Sequence, residues 1–360
     1  MKAAGDLIPW KVTDISLRPY KDFFSFNPSI HYDGSLWRCV LRCADYALPG
    51  GCEIRSRKAK PGMSRTKNAM VIFDPATWKP VEIYKMGEHD DFPRASSSSV
   101  GYEDIRLFRT DRYGLQGIAA ALHLQRADRR DPLAEQVLLW LDDEYNIVEA
   151  RPIRGESFSH LAQKNFAPFD HCAEPRFMYA IDKSAMFDER GELPARGAQV
   201  RPSSRARRTP QPDLRTINRA RERASEAERD RAREERKRHD TWPGVLCAED
   251  AEARSYEGLR GGSQIVRIDD DSWLGIGHAM RFVEGLKYYS HVWYRVDARG
   301  KLTAASPSMK LAPNNGIEFA AGLAIEGEHV VVSFGVDDML CRIGETKLSA
   351  VIETLRPVEQ

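Results

Sequence analysis

The sequence predicts an all-β protein, a β-propeller interrupted by one charged segment. Three observations point there. Short runs rich in aromatic and β-branched residues recur along the chain, bounded by Asp/Gly turns. No helical crossovers separate these runs, as a parallel sheet would require. The meanders fill roughly three hundred residues, more than one sheet holds comfortably; a sandwich or a barrel also suits the pattern, but radial blades use so many strands best.

The elements follow in order. SIHYDGSLWRCVLRCADY (29–46) is a hairpin about Asp33-Gly34, a favoured two-residue turn. NAMVIFD (68–74) is a further strand, and IRLFRTDRYGLQGIAAALHL (105–124) turns at Asp111 to Gly114. QVLLWLDDEYNIVEARPI (136–153) is strand, polar turn, strand, and RFMYAID (176–182) follows. SQIVRIDDDSWLGIGHAM turns at Asp269 to Ser272, and LKYYSHVWYRVDARGKLTAAS at Arg299-Gly300. IEFAAGLAIEGEHVVVSFGVDD turns at Glu326 to Glu328, and MLCRIGE (339–345) closes the series.

Residues 195–240 break the pattern. Their first half is rich in Arg, Pro and Ser, and Asp213 to Arg238 is rich in Ala, Glu and Arg without an apolar stripe. This reads as a solvated insertion, disordered and then helical, within a single domain spanning 1–360. It is also where a protein partner would dock, although its mixed charge argues against a phosphate-binding tail.

Lys and Arg number 54 against 53 Asp and Glu, a net charge of +1. No global field draws the chain to nucleic acid or a membrane surface. The start, MKAAGDLIPWKVTD, lacks the pattern of a signal peptide, and no apolar run is long enough to span a bilayer. Six scattered cysteines lack a CxxC pair, Cys39 and Cys43 share a parity and read as ordinary buried thiols, and a reduced, cytoplasmic protein is expected.

The octet GYEDIRLF (101–108) places Glu103, Asp104 and Arg106 inside a strand-like run. Strict alternation puts Tyr102, Asp104 and Arg106 on one face and Glu103, Ile105 and Leu107 on the other. Alone, this is either a surface ion pair or the rim of a site. Other polar points recur along the hairpins: Asn27, Lys164, Asn165, Arg260 before two glycines, His278, His291 among aromatics, Glu318, and the pair Asp337-Asp338. Adjacent strand residues face opposite ways, so Asp337-Asp338 is not read as a metal site, and no metal or cofactor is expected. On the inner strands of a propeller, these points would line one axial cavity suited to sugar or phosphate.

The order FNPSI, GYEDIRLF, KNFAPF, RGGSQ, WLGIGH, GIEFAAGL, SFGVDD resembles the five-bladed β-propellers related to glycoside hydrolase family 130, the mannoside phosphorylases and mannosidases. It is closer still to bacterial propeller domains that are glycosyltransferase-like or stand beside glycosyltransferases. The likeness spans about residues 24–345, apart from the charged insertion. It implies a five-bladed propeller acting on a carbohydrate or glycoside, with Asp104 as general acid. It implies Lys164, Arg260, His278 and Tyr289 or His291 as holders of inorganic phosphate, the co-substrate. Asp338 matches a late sugar-binding Asp; Asn27, Glu103, Arg106, Lys164, Asn165 and Glu318 complete the expected substrate contacts. Ile105 stands where the family has Pro, and RGGSQ differs from its Gly-x-Gly-x-Pro-Pro segment, so phosphorolysis, hydrolysis and transfer all stay open. The expected function is an inverting enzyme of mannoside-like glycosidic bonds; the alternative is a non-catalytic carbohydrate-binding propeller or an interaction scaffold.

Overall fold

Local turn chemistry sets the strand ends. Asp33 Oδ1 accepts the N–H groups of Ser35 and Leu36, and Gly34 takes φ 98°, so Phe24–Tyr32 folds back onto Trp37–Ala44. Gly327, with φ 58°, likewise reverses Glu318–Glu326 onto His329–Val336.

The computed structural model describes residues 2–49, 54–56, 64–87, 99–123, 133–153, 164–181, 186–190, 258–283, 286–312 and 317–358. The charged insertion expected at 195–240 lies outside them. Among the described residues five mainly antiparallel sheets follow one another along the chain, besides a two-stranded pair of Tyr46–Ala47 with Ile54–Arg55. The first blade comprises Phe24–Tyr32, Trp37–Ala44, Ser64–Phe73 and Pro80–Lys85. The second comprises Tyr102–Thr110, Gly114–His123, Leu133–Leu141 and Ile147–Pro152. Among the described residues the third has three strands, Ala167–Pro168, Arg176–Met178 and Met186–Asp188. In the fourth, Arg260–Gly261 and Val266–Arg267 both pair with Ser272–Val283, which is followed by Leu286–Asp297 and Leu302–Ala305. The fifth comprises Glu318–Glu326, His329–Val336 and Leu340–Lys347, with Lys11–Asp14 from the N-terminus as its outer strand. That last pairing joins the two ends of the chain in one blade.

Five apolar layers separate the five sheets and close the ring. Val40, Met70 and Ile72 of the first blade pack on Tyr102, Ile105 and Leu107 of the second. Phe108 and Ile118 meet Phe166 and Phe177 of the third. Phe169 and Met178 meet Trp273 and Tyr294 of the fourth. Ile276 and Trp293 meet Leu323 and Phe334 of the fifth. Val331 and Ile343 return to Ile30, Cys39 and Leu41 of the first. Each blade thus buries both faces, which is why its strands carry so many apolar residues on each side. Cys39, Cys43, Cys172 and Cys341 are free and buried, as expected of ordinary core thiols.

The first strand of each blade lies innermost, and neighbouring inner strands run parallel where they touch, at Thr110 with Cys172 and Phe169 with Ile265. Polar bonds lace these strands across the axis. Ser29 Oγ accepts the N–H of Leu107 at 2.9 Å. Gln264 donates to the Ile30 carbonyl at 2.5 Å and accepts from Leu323 N–H at 3.0 Å. Arg106 Nε donates to the Gly262 carbonyl at 2.6 Å. Ser29, Arg106 and Gln264 are fully buried, so the axis is filled midway and polar groups gather toward its ends.

Close approach of two blades requires glycine at Gly335. A Cβ there would lie 2.2 Å from Asn27 Oδ1 and 2.6 Å from Asn27 N. Gly335→Ala is therefore expected to destabilise the fold by about 1–3 kcal/mol, because the obstacle includes backbone. A denaturation midpoint equal to the parent's would show that the fifth blade can draw away from the first.

Candidate active site

Three inner strands carry the same irregularity near their starts. Asn27, Asp104 and Asn165 have φ of 47°, 53° and 65°. The strand register breaks between Phe26 and Ser29 and again between Glu103 and Arg106. These are β-bulges at which a residue turns left-handed, a conformation that Asn and Asp tolerate best after Gly. The bulge overturns the simple alternation expected of the octet. Tyr102 packs in the layer between the first two blades, while Glu103 and Asp104 both reach one guanidinium.

That guanidinium is Arg42. Its Nη1 donates to Asp104 Oδ1 at 3.0 Å, and its Nη2 donates to Glu103 Oε1 at 2.8 Å and to the Tyr46 hydroxyl at 2.9 Å. The group lies 4.9 Å from the centre of the Phe26 ring. Burial opposes its charge, but Glu103, Tyr46 and Asp104 hold its pKa well above the ordinary arginine value. Glu103 Oε2 accepts from Lys164 Nζ at 3.1 Å, and Asp104 Oδ1 accepts from Asn27 Nδ2 at 2.8 Å.

Arg106 is fully buried and anchors the floor. Besides Gly262 it donates to the backbone carbonyl of Asp104 at 2.9 Å and to Asn165 Oδ1 at 2.8 Å. Burial lowers its pKa to about 10 against the pull of Asp104, so it stays charged at neutral pH. His278 stands at the edge of Phe319, ring centres 4.9 Å apart, with its Nε2 3.5 Å from Asn165 Nδ2. Burial, then Arg106 and Arg260, push His278 down to about 3, so the ring is neutral. Tyr289 is 5.5 Å from the His278 ring and is pushed up to about 12 by burial, Asp338 and Asp104. Arg260 is exposed, lies over the Tyr179 ring, and has no carboxylate partner among the described residues.

The carboxyl groups differ sharply. Burial alone would raise Asp104, yet Arg42, Arg106, Asn27 and Lys164 bring it down to about 2. Asp338 is raised to about 7, first by burial, with Asp104 and Glu103 adding to it against Arg42. Asp337 and Asp338 are not successive strand residues, as the sequence suggested. They form the tip of a tight turn, with φ of 55° and 48°, closed by Met339 N–H to the Val336 carbonyl at 3.0 Å. Asp337 Oδ1 accepts the Ile317 N–H at 2.9 Å, which positions the turn and presents Asp338 to the cluster.

The inner strands thus bring together Asn27, Glu103, Asp104, Arg106, Lys164 and Asn165, with Arg260, His278, Tyr289 and Asp338 at their margin. Glu318 and His291 form a buried pair beside it, His291 lying across from His278 in the strand register. Glu318 accepts the N–H groups of Leu311 and Ala312 at 2.8 and 3.0 Å, and burial raises it to about 7. His291 Nε2 accepts from Ala320 N–H at 3.2 Å, and its Nδ1 is 3.9 Å from Glu318. Sequence reading missed Arg42, Tyr46 and Phe319. The available signal was a buried-looking arginine among the apolar residues that end the strand Trp37–Ala44.

The class defined by fold and site is a five-bladed β-propeller with a charged cluster at the start of its inner strands. No protein-family model matches the chain. No curated protein matches it either. Among solved structures it is similar to β-1,2-mannobiose phosphorylase from Listeria innocua, at 10% identity and TM-score 0.54, covering 96% of this chain and 99% of that one. A glycosyl hydrolase from Bacteroides ovatus aligns at 10% identity and TM-score 0.49, covering 94% and 86%. A mannose phosphorylase from Leishmania mexicana, solved with phosphate, aligns at 10% identity and TM-score 0.44, covering 97% and 92%. The Listeria likeness is one of fold, and the propeller expected from the resemblance is the one found. No helix among the described residues is long and apolar enough to cross a membrane.

Proposed function

We propose that the chain acts on glycosidic bonds of mannoside-like sugars by a single inverting displacement, with Asp104 and Asp338 as its working carboxyl groups. The observation that carries this reading is their separation: one carboxyl at about 2, the other at about 7, around one set of cations. Two carboxyl groups driven apart in this way divide acid and base roles between them.

Asp338, raised to about 7, keeps its proton in about half the molecules at neutral pH and in most below it, and can pass that proton to the glycosidic oxygen as the C–O bond breaks. Asp104, ionised, accepts from sugar hydroxyls or takes the proton of an attacking water. The resemblance gives the donor role to Asp104; that role requires substrate to displace Arg42 or Asn27 before the carboxyl can gain a proton. Four basic side chains, Arg42, Arg106, Lys164 and Arg260, gather around the carboxyl groups of Glu103, Asp104 and the largely protonated Asp338, an excess of basic groups over ionisable acids. That excess suits an anion. Arg260, with no carboxylate partner among the described residues, is the cation best placed to meet phosphate, and His278 would meet it as a neutral donor. The Listeria enzyme's substrate, β-1,2-mannobiose, directs the first assays.

The test is turnover of β-mannosides with and without inorganic phosphate, in the parent and in Asp104→Asn. The parent is expected to release sugar phosphate when phosphate is present, or free sugar when it is not, and the variant to do neither while remaining folded. A parent that binds sugar but turns over nothing with phosphate, water or sugar nucleotides would be a non-catalytic binding propeller, and the reading would fall.

A further inference from the structure

Three ligand-type side chains outside this cluster converge further along the same inner strands. His31 lies four residues beyond Asn27, at roughly 13 Å by strand rise. Asp170 and His171 follow the inner strand of the third blade. The ligand atoms of His31, Asp170 and His171 all lie within 4.8 Å of one another. Asp170 Oδ2 stands 3.7 Å from His31 Nδ1 and 3.7 Å from His171 Nε2. The two imidazoles are stacked, with ring centres 5.3 Å apart.

Burial distinguishes this group from a surface cluster. The His31 side chain is 2% exposed and Asp170 5%, whereas His171 is 24% exposed. Neither ring nitrogen of His31 has a hydrogen-bond partner among the described residues. Such buried nitrogens are costly when left unpaired. Asp170 Oδ1 is already engaged, accepting the N–H groups of Arg109 at 2.8 Å and His171 at 3.0 Å. The second oxygen, Oδ2, is thereby held facing both imidazoles. His171, at φ 53°, is turned onto the group by a left-handed backbone.

We infer that His31, Asp170 and His171 form a binding site for a divalent transition metal, Zn²⁺ in the first instance. Two imidazoles and one carboxylate are a donor set that such ions prefer. Bonds of ~2.1 Å at tetrahedral angles place donor atoms ~3.4 Å apart, close to both carboxylate–imidazole separations. The stacked rings have to draw together by a rotation of His171, which its partial exposure permits. Three protein ligands leave one position for water, reached from the His171 side. The ion would tie the first blade to the third, with the second held to Asp170 through Arg109. It owes nothing to the Asp104 cluster, so glycoside turnover neither supports nor opposes it.

The experiment is calorimetric titration of the EDTA-treated full chain with Zn²⁺, with Co²⁺ as a spectroscopic probe. One equivalent is expected to bind, raising the melting temperature, and Co²⁺ is expected to show the visible bands of a low-coordinate N/O site. His171→Ala, a change at a partly exposed turn, is expected to weaken binding more than ~100-fold, beyond the 10–100-fold cost of outer-shell changes. His329→Ala, at the exposed His329–Glu345 pair, is expected to leave binding unchanged. His31→Gln supplies a second reading, and circular dichroism confirms that each variant is folded. No binding by the parent, or full-strength binding by folded His171→Ala and His31→Gln, would overturn the proposal.

Discussion

Asp338→Asn is expected to cut glycoside turnover by about 10²–10⁴-fold, the usual contribution of a positioned proton donor. Asn is nearly isosteric with Asp and tolerates the left-handed turn conformation at φ 48°, so the hairpin tip survives the change. The parent's activity is expected to fall as pH rises through about 7, where Asp338 loses its proton. The variant's residual activity is expected to lack that limb. Stability moves differently. A carboxyl whose folded pKa is raised contributes stability below its unfolded pKa, ordinarily ~3.9, and that contribution is lost as pH rises through about 7. An amide has no such loss, so the variant is expected to melt no lower than the parent above pH ~7. Unchanged turnover together with an unchanged alkaline limb would remove Asp338 from the chemistry.

Arg42→Met carries the largest expected cost in stability, ~3–5 kcal/mol, because it leaves Glu103 and Asp104 buried without their shared cation. Asp104 sets the pH dependence. Its folded pKa, about 2, lies below the ordinary carboxylate value, so its stabilising share is present above pH ~4 and is lost as pH falls through about 2. Without Arg42, burial pushes the carboxyl upward and that share disappears. The variant's deficit in urea midpoint is therefore expected to be greatest near neutrality and to shrink in acid. The triple change Arg42→Met, Glu103→Gln, Asp104→Asn is expected to recover part of the deficit, since no buried charge is left unpaired. A deficit constant from pH 3 to pH 7 would mean that Arg42 acts through packing on Phe26 and Tyr46 alone.

Much of the scaffold was legible because it is local. Asp33-Gly34, Asp111 to Gly114 and Arg299-Gly300 announce their turns through side chains that bond their own backbone or through glycine's freedom. The polar points were legible as exceptions to an apolar pattern. Their orientation was not. Asp104 looked paired with Arg106 by parity, yet a bulge redirects it, and Arg106 bonds the Asp104 carbonyl while Arg42 takes the carboxylate. Asn27, Asp104 and Asn165 occupy matching left-handed positions in three blades, a repeat one residue long and invisible to any search for longer motifs. Asp337-Asp338 read as strand because turns of this type usually advertise Asn-Gly or Asp-Gly. Glu318 and His291 read as site residues; their hydrogen bonds go to backbone, and His291 lies across from His278 in the strand register.

Composition, turn spacing and apolar alternation thus determined that the chain would form successive antiparallel blades, since these depend on forces acting over a few residues. The tertiary structure decided which charges meet. Arg42 and Glu103 are separated by 61 residues and become 2.8 Å neighbours only when two blades pack. The state of each carboxyl was decided there too. Ionisation in a buried site reflects the balance between lost water and every charge that folding brings near, and that balance does not exist in the unfolded chain.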